Sequence, residues 1–240
     1  MLQLKNIGLL STFNSITDSF DNIRNCNIDI ENGIIIGLGD SNFKGDNTID
    51  CNQKLVTPGF VDAHTHPVFI NGREKEFIQR ISGKTYQEIS NDGGGINSSI
   101  LRVRESTETE LLDNVNKRMD EFISLGTTTI EAKTGYGLDI ESELKSLRVL
   151  DRIHNNHIID IFPTFLGAHS IPDEFNSDSN AYVDLLCNEM IPGIAEQGIA
   201  KFCDVFCEEG YFDLNQSRKI LNKAIEYNLV PRIHADEFSD

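Results

Sequence analysis

Thr57-Pro58-Gly59-Phe60-Val61-Asp62-Ala63-His64-Thr65-His66-Pro67 is the stretch on which the reading of this chain turns. An apolar run leads into His-x-His, and a proline closes it. In a strand, residues i and i+2 face the same side. A strand here therefore sends the imidazoles of His64 and His66 to one side, about one metal ion apart. Imidazole is a common ligand of zinc and iron, and catalytic sites take two or three such ligands while keeping one position open. A pair of surface or core histidines is the plainer alternative. Against it stand the expected position at the end of a buried strand and the further histidines that end later strands.

Downstream of His66, apolar residues at helical spacing alternate with short β-rich runs, the pattern of βα units and a parallel sheet. Thr107-x-x-Glu110 resembles a capping box. The helix it opens carries Leu111, Leu112, Val115, Met119, Phe122 and Ile123 on one stripe, and Gly126 stops it. A strand over 127–132 follows. A second helix after Asp139 has Leu144, Leu147, Leu150 and Ile153 on one face, and the strand over 158–162 runs on to His169. A third helix carries Tyr182, Leu185, Leu186, Met190 and Ile194, with a kink expected at Pro192. Then come a strand over 201–207, a helix after Asp213, and a last strand over 229–234.

Counted from Val61, this makes five β units, whereas a closed (β/α)₈ barrel needs eight and typically about 250 residues. Polar and acidic residues collect at the C-terminal ends of these strands, where barrel enzymes place their active sites. That favours a truncated TIM (β/α)₈ barrel over an open sheet. Upstream, residues 1–57 read as short strands. Cys26 to Ile30 alternates, and Asn32-Gly33 marks a hairpin turn before Ile34. The expected organisation is a small β domain over 1–57, too short to build a good core alone, and an incomplete α/β barrel over 58–240.

The net charge of −17 argues against a nucleic-acid or anionic-membrane surface. No run approaches the roughly 20 apolar residues of a membrane span. The N-terminus has no basic region followed by a long apolar one, so no signal peptide is expected. Five cysteines without a close-set framework suit a reducing cytoplasm.

Histidines end three of the expected strands: His64 and His66 the first, His169 the third, His234 the fifth. In a parallel barrel all four sit on one face. His-x-His with one distant histidine is a partial coordination sphere for a hydrolytic metal site, where the metal activates water. Spacing leaves open which of His169 and His234 is the ligand. Glu237, three residues after His234, suits a proton shuttle or a helix-start carboxylate. Arg73 suits a bidentate clamp on a carboxylate, or an ordinary surface arginine. Tyr136, in Lys133-Thr134-Gly135-Tyr136-Gly137, suits stacking on a planar ligand or packing of its own loop. Tyr86 and Gly93-Gly94-Gly95 lie in a long segment after the first strand, and the glycines suit a mobile loop over the site. No Gly-Lys-Ser/Thr follows them, which argues against a phosphate cradle. Cys203 and Cys207 are read as core residues, and His154 and His157 as surface or helix-end partners.

These residues carry a resemblance. Pro58 to Pro67, Gly72-Arg73-Glu74-Lys75-Glu76-Phe77, Gly93-Gly94-Gly95-Ile96, Glu131 to Gly137, Phe165-Leu166-Gly167-Ala168-His169 and His234-Ala235-Asp236-Glu237-Phe238 together resemble the imidazolonepropionases of the amidohydrolase superfamily. His-x-His is shared across that superfamily; the combination of the Arg73, Tyr136 and His169 segments is specific to the family. The resemblance implies hydrolysis of 4-imidazolone-5-propanoate to N-formimidoyl-L-glutamate in histidine degradation. It implies one divalent metal ion, zinc or iron, on His64, His66 and His234. It places Arg73, Tyr86, Tyr136, His169 and Glu237 on the substrate, with His169 and Glu237 catalytic. The expected location is the cytoplasm, and the resemblance admits a homodimer of the full-length protein. The family's aspartate ligand and a further catalytic histidine would fall beyond Asp240, so the chain is expected to be an N-terminal part that is inactive and poorly soluble alone. The alternatives are another amidohydrolase acting on a cyclic amide or aminated heterocycle, and a non-catalytic metal-binding barrel fragment.

Overall fold

The computed structural model describes residues 1–39, 47–70, 72, 74–85, 88–89 and 94–237. The chain divides into two units, Met1–Gly59 and Phe60–Asp240. In the first, β1 (Leu2–Asn14), β2 (Ser19–Glu31), β3 (Ile34–Gly39) and β4 (Asn47–Asp50) form a sheet of order β3-β2-β1-β4, and β5 (Leu55–Val56) also pairs with β1. The β2–β3 hairpin turns on Asn32 and Gly33, both at positive φ (52° and 79°), the conformation that Asn-Gly adopts most readily. Strands expected to be short are not: β1 and β2 each run for 13 residues. Long antiparallel pairing compensates for the small buried cluster of Ile7, Leu10, Cys26 and Ile28.

The second unit is built on a parallel sheet. Its strands are β6 (Phe60–Thr65), β7 (Thr127–Lys133), β8 (Asp160–Ala168), β9 (Phe202–Val205) and β10 (Val230–Pro231), in the order β10-β9-β8-β7-β6. Between β6 and β7 lie α1 (Glu74–Ile81), α2 (Gly95–Glu105) and α3 (Glu108–Ser124). Thr107 caps α3 in a reciprocal box with Glu110, and Leu111, Val115 and Met119 on its stripe are buried. Asp139 caps α4 (Ile140–Asn156) by accepting from Ser142 N–H at 2.8 Å. Asp213 caps α7 (Leu214–Glu226) in a second box, with Gln216. The apolar core lies between helices and sheet, with Leu111, Ile130, Leu147, Phe165 and Ile194 among its members.

Several expectations need correction. The strand bearing His64 is not buried: β6 is an edge of the sheet, with Phe60 57% and Val61 69% exposed. Gly94 and Gly95 are not loop residues, since Gly94 is the N-cap of α2 and Gly95 opens it; Gly93 lies outside the described residues. The helix around Pro192 runs without a break through α5 (Ser179–Leu185), a π-turn over Leu186–Met190, and α6 (Ile191–Gln197). Proline has no N–H to give the preceding turn, and the wider turn accommodates that loss. The last strand is short, and beyond Pro231 a single bridge pairs Phe206 with His234. Among the described residues no helix is long and apolar enough to cross a membrane, and no cysteine is in a disulfide.

Candidate metal centre

His64 sits near the end of β6 and His66 two residues further on. His234 is pinned beside the continuation of β9: its N–H donates to Val205 O at 2.9 Å, and its carbonyl accepts from Cys207 N–H at 2.9 Å. These positions bring three Nε2 atoms together. His64 and His66 are 3.1 Å apart, His234 and His64 2.9 Å, and His234 and His66 3.4 Å. Neutral rings cannot satisfy one another at such a point, because a shared proton pairs two nitrogens and leaves the third lone pair facing them. Tetrahedral zinc with bonds of about 2.0–2.1 Å sets ligand nitrogens about 3.3–3.4 Å apart; one of the three distances matches that spacing and the other two are somewhat shorter. His234 is buried while His64 is exposed, so the cluster is open on one side.

Electrostatics favour the neutral, ligating form of imidazole. Burial, helped by the neighbouring histidines, pushes His66 down to about 2. Burial and then His234 lower His64. Beneath the cluster lies an ionic group that sequence reading missed. Lys133, 2% exposed, sits between Glu131 Oε1 at 2.5 Å and Asp204 Oδ2 at 2.8 Å. Glu131 Oε1 also accepts from Thr164 Oγ1 at 2.6 Å. Asp204 Oδ2 lies 3.0 Å from His234 Nδ1, within ion-pair distance though off the line of a straight N–H···O bond. Burial raises the Asp204 carboxyl, but His234 and Lys133 outweigh it and hold the group below its ordinary value. An open cavity of about 290 Å³ leads to this group, lined in part by His64, Glu131, Lys133, Asp204 and His234. The only sequence signal was the unusual Glu-x-Lys in a strand, which does not reveal that Asp204, 71 residues on, completes it.

His169 is set differently. Its Nδ1 lies 2.9 Å from the Gly135 carbonyl; a carbonyl only accepts, so Nδ1 carries the proton. Its ring stacks on His66 with centroids 5.0 Å apart and meets Tyr136 edge-on at 5.2 Å. Burial pushes His169 down to about 4. The structure thus brings Tyr136 and His169 beside the histidine cluster. Glu237 is exposed, and its backbone N–H donates to Glu208 Oε2 at 3.0 Å. Arg73 and Tyr86 lie outside the described residues. Sequence reading also missed Arg118, whose Nη1 donates to Pro67 O at 3.0 Å and Phe69 O at 2.7 Å while the guanidinium covers the Phe69 ring. It ties down the backbone that follows His66.

Gly135 cannot carry a side chain. Its φ is +107°, and a Cβ would stand 2.7 Å from Leu166 O and 3.0 Å from His169 Nδ1. Gly135→Ala is expected to cost about 1–3 kcal/mol and to displace His169. Urea unfolding checks this; a loss below about 0.5 kcal/mol, the scale of an ordinary surface change, would contradict it.

In fold the second unit is part of a (β/α) barrel: five parallel strands, with the histidine cluster at the C-terminal ends of the first and last of them, follow a small β unit in the chain. It is similar to the 5-methylcytosine deaminase from Klebsiella pneumoniae liganded with 5-fluorocytosine (TM-score 0.64, 15% identity, 99% of this chain and 52% of that one). It is likewise similar to atrazine chlorohydrolase from Arthrobacter aurescens TC1 complexed with zinc (TM-score 0.54, 12% identity, 99% and 53%). In sequence it is similar to the imidazolonepropionases. Identity is 44% over 237 residues with that of Clostridium tetani (strain Massachusetts / E88), covering 96% of this chain and 57% of the relative. It is 39% over 243 residues with that of Christiangramia forsetii, covering 100% and 59%. The chain thus spans somewhat more than half the length of these curated relatives. No protein-family model matches it.

Proposed function

We propose that the protein acts in the metal-dependent hydrolysis of 4-imidazolone-5-propanoate to N-formimidoyl-L-glutamate, a step of histidine degradation in the cytoplasm. The observation that carries this reading is the similarity to imidazolonepropionases along 96–100% of the chain. In it, His64, His66 and His234 hold one divalent metal ion, zinc or iron. Such an ion supplies Lewis-acid polarisation and an activated water at neutral pH. Water adds across the ring amide: the carbonyl carbon gains the oxygen, the C–N bond breaks, and the leaving nitrogen gains a proton.

The chain's own residues bind and orient. Arg73 clamps the propanoate tail in a two-pronged hydrogen bond, and Tyr86 and Tyr136 flank the planar ring. His169, its Nδ1–H committed to Gly135 O, offers Nε2 as its acceptor. Glu237 contacts the ring and moves protons with His169. Asp204 and Lys133 support His234 from behind.

The test is an ultraviolet assay of imidazolone loss, run on the full reading frame with metal content measured alongside. Loss of the substrate absorbance at one metal per chain is expected. Bound metal without loss of imidazolone would overturn the substrate and point to another cyclic amide or aminated heterocycle. Absence of bound metal would overturn the centre itself. In the same assay Arg73→Ala is expected to raise KM at least tenfold, the loss of a charge-assisted hydrogen bond of about 1.5–3 kcal/mol; an unchanged KM would remove the clamp.

A further inference from the structure

The loop that joins β7 to α4 folds around a carboxylate. Glu143, in the first turn of α4, is fully buried. Its Oε1 accepts from Gly137 N–H at 2.8 Å, Leu138 N–H at 3.0 Å and Gly135 N–H at 3.2 Å, while Oε2 accepts from Gly135 N–H at 3.1 Å. Consecutive backbone donors closing on one anion form a nest, and a buried carboxylate needs such partners. The loop is held in a form it would not take freely: Leu138 has φ +55°, uncommon for a branched side chain. Around the loop, Arg104 Nε donates to Gly137 O at 2.7 Å, and Tyr182 Oη donates to Leu138 O at 3.2 Å and Gly167 O at 2.8 Å. The Gly135 carbonyl is thereby fixed toward His169 Nδ1.

We propose that Glu143 is a positioning residue: through the Gly135 loop it locks His169 in the Nδ1–H tautomer, with Nε2 as the ring's acceptor, and sets Tyr136 beside it. Glu143 touches neither His169 nor the histidine cluster; it acts through Gly135. Without the carboxylate, three buried N–H groups lose their acceptor, the loop relaxes, and the Gly135 carbonyl no longer dictates which ring nitrogen is protonated. An amide replaces it only in part: its oxygen can keep the Gly137 and Leu138 donors, but its NH₂ group then faces Gly135 N–H, donor against donor. The expectation about catalysis rests on the function proposed above; the expectation about the tautomer does not.

The experiment uses the zinc-loaded full reading frame with ¹⁵N-labelled histidine. Long-range ¹H–¹⁵N spectra report the protonated ring nitrogen of each histidine, and His169→Gln identifies the His169 signals. The wild type is expected to show His169 as Nδ1–H, and an Nε2–H form would overturn the proposal outright. Glu143→Gln is expected to mix the tautomers and to raise KM for imidazolone propanoate about tenfold, with zinc content unchanged. A residue that merely stabilised the fold would lower Tm while tautomer and KM stayed as in wild type, and that result overturns the proposal. Should Glu143→Gln not fold, Glu143→Asp, which retains the charge but is one methylene shorter, is read by the same criteria. If no imidazolone is hydrolysed by the wild type, the substrate assignment fails while the tautomer spectra still decide the role of Glu143.

Discussion

If the proposed metal centre holds, His66→Ala is expected to lower bound metal from about one equivalent to near none after dialysis against a weak chelator. Three Nε2 atoms within 3.4 Å of one another form a three-point grip, and His64 with His234 alone is a much weaker one. Turnover of the full reading frame is expected to fall by on the order of 10³-fold. A metal contributes several kcal/mol of transition-state stabilisation, and each 1.4 kcal/mol is a factor of ten. Metal analysis and the imidazolone assay read the two effects separately. A variant that kept both its metal and its rate would show that His66 is not a ligand. His66 is the informative choice because burial already holds it neutral, down to about 2. Its removal takes away a ligating nitrogen and no charge.

The second large effect is expected at Lys133, where Lys133→Met leaves the buried Asp204 carboxylate without its lysine and Glu131, partly exposed, with Arg232 Nε at 4.0 Å as its remaining cation. Asp204 is 1% exposed and Glu131 11%, and both lie within 2.8 Å of the Lys133 ammonium. Removing one partner of a buried ion pair costs about 3–5 kcal/mol, because the remaining charge is uncompensated. Urea unfolding should show a loss of that size, and one below about 1 kcal/mol would mean that water reaches the group. Adding Asp204→Leu to Lys133→Met should recover much of the stability, since apolar replacement of the buried Lys133–Asp204 pair is often close to neutral and Glu131, partly exposed, keeps Arg232 Nε at 4.0 Å. The double variant would still lose the carboxylate beside His234 Nδ1. Metal affinity is therefore expected to stay about 10–100-fold weaker, the usual effect of removing a partner of a ligating histidine. Stability and metal affinity should then move apart, which separates the structural role of the ion group from its support of His234.

Much of the architecture was legible because it is written at short range. Thr107 with Glu110 announced the start of a helix, Asn32-Gly33 announced a hairpin, and Asp139 marked the cap of α4. The errors arose where a neighbour decided the outcome. The exposure of β6 depends on what lies beside Phe60 and Val61, not on their own apolarity. Gly94 and Gly95 were read as a loop because glycine permits one, yet helix α2 begins there with Gly95 N–H donating to Glu76 Oε1 at 3.1 Å.

By itself the sequence determined the alternation of strands and helices and the His64–His66 pair, because periods of 3.6 and 2 residues and capping spacings are local properties. Spacing alone left His169 and His234 as equal candidates for the third ligand. The strands of His64 and His234 are the two edges of the sheet, yet the tertiary fold brings His234 Nε2, 170 residues away in the chain, to 2.9 Å from His64, while the Gly135 carbonyl holds His169 through Nδ1. The tertiary structure alone placed Lys133 between Glu131 and Asp204 and folded the Gly135 loop around Glu143. Groups like these are charged, and in sequence a charged residue reads as surface. Only the packing of neighbouring strands and helices shows that water has been removed and that each charge has an internal partner.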